Sequence, residues 1–194
     1  MSTDIAGDWK YSFFKIVEQP DVSSDLKEAS LNENLADWTR ALTTVCINTC
    51  SALGWRASAK GHQCSLLPVK RNEYLSLDVM AFADSNKKWR YPVAVFELEN
   101  SFDNDQIAYS LWKLLCVRAD LRIVFCYRKT AKDGSALVKY LQDDVITAMG
   151  ISGRLRLNGE SIIVVGSRDD AGTFPYKFFK WWSLDKNTGK FNLL

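Results

Sequence analysis

The chain has 194 residues, 47% of them hydrophobic and 12% aromatic, which suffices for one domain with a substantial core and no obligatory staple. A net charge of only +2 excludes a global basic field, so any nucleic-acid partner has to be held by local patches. Five cysteines (Cys46, Cys50, Cys64, Cys116 and Cys126) lack CxxC pairs and a close histidine set, which excludes a zinc framework and reads as reduced core thiols.

Residues 1–29 open with an aromatic cluster (Trp9, Tyr11, Phe13, Phe14) and pass through Pro20 into a polar stretch, an N-terminal arm expected to pack on the core. Neither this segment nor any other run is long and apolar enough for a membrane span, so a soluble, cytoplasmic protein without a membrane partner is expected. Ser30 to Leu53 has apolar residues at helical spacing, opens with a Ser30/Glu33 capping box and stops at Gly54. Trp55 to Leu67 reads as a first strand and Glu73 to Ala83 as a second. Asp84, Ser85 and Asn86 turn the chain into a third, Tyr91 to Glu99, so the second and third form an antiparallel hairpin.

Gln106 to Ala119 follows as a helix, and Leu121 to Tyr127 is an apolar run typical of a buried parallel strand. Ser135 to Met149 is a further amphipathic helix and Ser161 to Val165 its partner strand. Tyr176 to Leu194 closes the chain as a hairpin turning at Lys186 to Gly189. The fold class is therefore α/β, a mixed sheet flanked by helices with a C-terminal strand hairpin. The organisation is a single domain over 1–194: arm 1–29, core 30–128, C-terminal helix and strands 129–194.

Three acids interrupt this pattern. Asp78 lies in LSLDVMAF, and Glu97 and Glu99 lie two apart in VAVFELENS, where carboxylates are costly unless a cation collects them. Strand alternation puts Glu97 and Glu99 on one face and Ala94, Phe96 and Leu98 on the other. With Asp78 beside Glu97 in the hairpin, the carboxylates could converge on Mg²⁺, a hard ion that takes oxygen ligands and bridges to phosphate. The alternative is an edge strand whose acids face water. On the following helix Gln106, Tyr109, Ser110 and Lys113 share a polar sector, which suits either a cleft or a solvent-facing stripe. Trp112 and Cys116 beside it favour burial.

Helix, strand, Asp-bearing strand, ExE-bearing strand, helix, strand: over Ser30 to Arg128 this order and these residues resemble the PD-(D/E)xK nuclease superfamily, with its restriction-endonuclease-like fold. The resemblance implies an active site at the hairpin, with Asp78 as the family's aspartate and Glu97 as its second acid. Glu99 stands where the usual lysine would be, and Leu77 replaces the proline. Some restriction enzymes of this fold have an ExE form, which implies that Glu99 holds a second metal or accepts a proton from water. Other members recruit a lysine from the next helix, here Lys113. Related exonucleases place a Gln and a Tyr on this helix to hold phosphate, which Gln106 and Tyr109 match loosely.

The function so implied is metal-dependent DNA hydrolysis, endonuclease or exonuclease, with Mg²⁺ or Mn²⁺ held by Asp78, Glu97, the Leu98 carbonyl and Glu99, and Lys113 steadying charge. DNA is the expected partner, and two copies could pair as a homodimer to cut both strands. The alternative is a catalytically inactive module of the same fold that binds DNA or a protein. Lys87, Lys88 and Arg90, read as lying next to the acids, are the expected phosphate contacts. Glu33 could add an acid but is explained by the capping box, and His62, the sole histidine, reads as a turn residue. YKFFKWW near the end reads as core in preference to a base-stacking surface.

Overall fold

Seven strands form one mixed sheet in chain order: β1 (Trp55–Ala59), β2 (Val79–Ala83), β3 (Ala94–Leu98), β4 (Leu121–Arg128), β5 (Glu160–Ser167), β6 (Phe179–Asp185) and β7 (Lys190–Leu193). The computed structural model describes residues 4–62, 64–71 and 73–194. Residues 1–3 of the expected arm and Gln63 of the expected first strand lie outside the described residues. The strands β1, β2 and β3 run antiparallel, β4 and β5 run parallel to β3, and β6 and β7 return antiparallel as the expected C-terminal hairpin. Parallel neighbours need crossovers. These are α4 (Asn104–Leu115), and α5 (Ala131–Leu141), which continues through a π-helical turn at Gln142–Ile146 into α6 (Thr147–Leu155).

Alternation along β3 sorts the core into two layers. Ala94, Phe96 and Leu98 face α1 (Ile5–Val17), α2 (Pro20–Leu31) and α3 (Leu35–Ala52), while Val95 lies on the face covered by α4 and α5. Helices thus cover both faces, the architecture that the sequence predicts. Among the described residues no helix is long and apolar enough to cross a membrane.

The N-terminal segment packs on the core as expected, and the arm is built of two helices, α1 and α2. Ala6, Trp9, Phe13 and Val17 make a buried stripe at helical spacing. Phe13 sets its ring 5.5 Å from Phe125 and 5.3 Å from Trp181. Pro20 opens α2, where its missing N–H is no loss. The cluster Phe178, Phe179, Trp181 and Trp182 is buried, in line with its reading as core.

The expected helix start at Ser30 is corrected. Ser30 lies in the last turn of α2, buried, with its hydroxyl 3.1 Å from that of Tyr127. Glu33 has φ 53 and pairs with Arg168, so no Ser30/Glu33 capping box forms. Instead, Asn34 caps α3 by accepting from the Asp37 amide at 3.2 Å. Two helices meeting at a sharp reversal produce the same apolar spacing as one long helix, which is why the sequence pattern merges them. The expected first and second strands are also shortened, to β1 and β2. Cys46, Cys50 and Cys126 are buried as expected, but Cys64 is half-buried and Cys116 is exposed.

Candidate active site

Hairpin register brings the acids together at one end of the sheet. Val79 pairs with Phe96 and Ala81 with Ala94, so Asp78, one residue before β2, arrives opposite Glu97. Asp78 accepts a hydrogen bond from the Leu98 amide at 2.7 Å, a side chain taking over the ladder where the backbone pairing stops. The turn before it, Tyr74–Ser76, holds Leu75 and Ser76 at φ 58 and 53. Left-handed backbone at two consecutive non-glycine residues is costly and needs support from its surroundings. Part of that support comes from Lys113, whose ammonium donates to the Ser76 carbonyl at 2.8 Å.

Glu97 is 4% exposed. Its Oε2 lies 2.9 Å from Lys113 Nζ, and the buried Ser110 hydroxyl is 3.4 Å from that oxygen and 3.2 Å from Glu99 Oε2. Its Oε1 is buried with no hydrogen-bond partner among the described residues. Burial pushes the Glu97 carboxyl up to about 7, against the pull of the Lys113 ammonium and with a further push from Asp78. Asp78 is likewise raised by burial, opposed by the Leu98 amide and Lys113 and reinforced by Glu73 and Glu99.

Glu99 is half-buried, its Oε1 accepting from the Ser101 amide at 2.9 Å and its own amide donating to the Phe125 carbonyl at 2.9 Å. The loop after it is tied on two sides. Asn100 donates to Thr39 Oγ1 at 2.7 Å, and the buried Arg128 guanidinium donates to the Ser101 carbonyl at 3.0 Å and to Asn104 Oδ1 at 2.8 Å. Arg122 locks the other end of α4 by donating to the Leu114 and Val117 carbonyls at 3.1 Å. The helix bearing Ser110 and Lys113 is therefore anchored to β4 at both termini.

The structure brings together Asp78, Glu97, Glu99 and Lys113 on one face, as the sequence reading expects. Ser110, the Ser76 carbonyl, Asn100 and Arg128 join them as supports that motif reading did not single out. Only Ser110 carried a signal, its place on the polar sector of α4. Among the described residues no group of three His, Cys, Asp or Glu side chains gathers closely enough to hold a metal ion; here Lys113 is the cation that meets Glu97.

Other expectations change. The sector of α4 is not one polar stripe, for Ser110 is buried while Gln106 and Tyr109 are exposed, and Trp112 and Cys116 face solvent instead of the core. Lys87, Lys88 and Arg90 do not adjoin the acids. Their loop closes the hairpin at the end where Ala81 meets Ala94. It lies roughly 20 Å along the strand from Asp78, at about 3.3 Å per residue.

Comparison with protein-family models, with curated proteins and with solved structures returns no match. The site has to be read from its own geometry.

Proposed function

We propose that the chain is a metal-dependent deoxyribonuclease of restriction-endonuclease-like fold that hydrolyses phosphodiester bonds at Asp78, Glu97, Glu99 and Lys113. Support for the fold comes from α3, three antiparallel strands, α4 and a strand parallel to the third, with Glu97 on the third strand, Asp78 just before the second and Glu99 just after the third. The observation that carries the reading is Glu97: a carboxylate buried within a sheet, held to an ammonium on one oxygen and without a partner among the described residues on the other. An unsatisfied buried carboxylate oxygen is expensive and marks a position that a ligand completes.

Mg²⁺ or Mn²⁺ would be held through that open oxygen, with Asp78, Glu97 and the Leu98 carbonyl as the holding groups and Glu99 beside them. When bound, such an ion polarises the phosphoryl oxygen and lowers the pKa of a water. Lys113, aimed by Glu97 and the Ser76 carbonyl, steadies negative charge on the scissile phosphate. Glu99, steered by Ser110 and the Ser101 amide, takes a proton from the attacking water at a carboxylate oxygen. The phosphorus–oxygen bond to the leaving group breaks as the bond from water forms, and the leaving oxygen is protonated from solvent.

The direct test is nicking or strand degradation in Mg²⁺ or Mn²⁺ by wild type and Glu97→Ala. Activity in wild type and none in the variant is expected, and equal activity in both removes the assignment. A second reading, a non-catalytic module that binds DNA or a protein, is favoured by two observations: Lys113 already pairs with Glu97, and no three-acid cluster that could hold a metal forms among the described residues. It predicts neither hydrolysis nor stabilisation by divalent cations.

A further inference from the structure

The outward side of α4 carries two aromatic rings three residues apart. Tyr109 is 57% exposed and Trp112 55%, and their planes lie within 21° at a centroid distance of 6.0 Å. The Lys113 ammonium that holds Glu97 is 5.9 Å from the Tyr109 centroid. As the crossover between parallel β3 and β4, α4 runs back along β3, so its far end approaches the loop between β2 and β3. There the Arg118 guanidinium lies 5.5 Å over the ring of Tyr91. Tyr91 and Trp89 in that loop are 78% and 64% exposed.

The same loop is basic. Lys87 and Lys88 are exposed, and Arg90 is half-buried with its Nε and Nη1 lacking hydrogen-bond partners among the described residues. With Arg118 these cations outnumber the adjoining acids, Asp84 and Asp120. Exposed ring faces interleaved with cations suit a polyanion whose bases are unpaired. Rings gain from stacking on free base faces, and cations from neutralising phosphates. A duplex keeps its base faces stacked inside and could use the cations alone.

We propose that the strip from Tyr109 and Trp112 to Tyr91 and Trp89 is a binding track for single-stranded nucleic acid, with bases on the rings and phosphates against Lys87, Lys88 and Arg118. The inference rests on the phosphodiesterase reading in naming the substrate of that site as an unpaired strand. It also gives the hairpin loop, distant from the acids, a role along the strand instead of at the scissile bond.

The experiment measures binding of the full chain to a short mixed-sequence DNA oligonucleotide, as single strand and as duplex, in EDTA over a salt series. A separate degradation assay uses Mn²⁺. Single strand is expected to bind about tenfold or more tighter than duplex, with Trp112→Ala and Trp89→Ala each weakening it about tenfold and Trp112→Phe retaining most of the affinity. Lys87→Ala is expected to lower the salt slope by about one. Equal affinity for the two forms, or unchanged affinity in both alanine variants, overturns the track. Binding of neither form overturns it too. Single-strand binding without degradation sustains the track and removes the nuclease reading. Degradation of duplex that both alanine variants leave unchanged does the reverse.

Discussion

Lys113 meets Glu97 at 2.9 Å across the contact between α4 and β3, and the other oxygen of the same carboxylate is buried without a hydrogen-bond partner among the described residues. The ammonium therefore neutralises the charge without completing the hydrogen bonding. Pairing one oxygen does not offset the burial of the whole group, so the carboxyl stays raised, at about 7.

Stability should fall as pH rises through this range. The ordinary value for the Glu97 carboxyl is 4.5, and burial raises it to about 7. Between those values the folded chain holds a proton that the unfolded chain has released, so the stabilisation present below 4.5 is lost by about pH 7. Asp78 is raised too and acts in the same direction. Without divalent cations, the Tm of wild type should drop by a few degrees more than that of Glu97→Gln between about pH 5 and about pH 8. Identical profiles would show that Glu97 titrates normally.

Divalent cations should reverse that trend. A ligand held only by the native state stabilises it by about 1.4 kcal/mol at ten times its Kd, a rise of roughly 3–5 °C for a chain of this size. The rise should be greater at about pH 8 than at about pH 6, because bound carboxylates must be unprotonated. Asp78→Asn and Glu97→Gln should each abolish it. Thermal denaturation with millimolar Mg²⁺, Mn²⁺ or neither measures the effect, and an unshifted wild type counts against the metal.

Lys113→Met separates positioning of charge from metal binding. Removing a donor aimed at developing charge lowers a rate by about 100-fold or more, while the Mn²⁺-dependent rise in Tm should persist because the carboxylates remain. The exposed Ser76 carbonyl can take water in place of Lys113, whereas Glu97 is left buried without its ammonium, a destabilisation of about 3–5 kcal/mol. A rate within a factor of about two of wild type, at equal folded fraction, would assign Lys113 a structural role only.

Phe13→Ala tests whether the N-terminal helix belongs to the core. Phe13 is fully buried among Trp9, Phe125, Phe179 and Trp181, and truncating a buried phenylalanine costs about 3–5 kcal/mol. Urea denaturation should show a loss of that size in one transition. A loss below about 1 kcal/mol would mean that α1 packs loosely on the sheet.

The sheet was legible where the pattern is local. Leu121 to Tyr127 is apolar at every position but Arg122 because both faces of β4 are covered, and the terminal hairpin follows from its turn at Lys186 to Gly189. The carboxylates were legible because acids in otherwise apolar strands are costly, and alternation alone fixes Glu97 and Glu99 on one face. The Ser30/Glu33 pair misled because a Ser-x-x-Glu pattern and an apolar spacing also occur where two helices abut without a capping box between them. Nothing local reveals the left-handed turn at Glu33.

By itself, the sequence determined the order of strands and helices from the first strand onward, the common face of Glu97 and Glu99 and the pairing of the Asp78 strand with the Glu97 strand, since these depend on residue periods and short turns. Tertiary structure alone decided that Lys113 lands on Glu97 and Ser76, that Arg128 and Asn100 tie down the loop after Glu99, and that the Lys87–Arg90 loop sits at the far end. Those outcomes depend on register and on how α4 packs against the sheet. Both are set by burial of residues distant in the chain, and no window of local sequence contains that information.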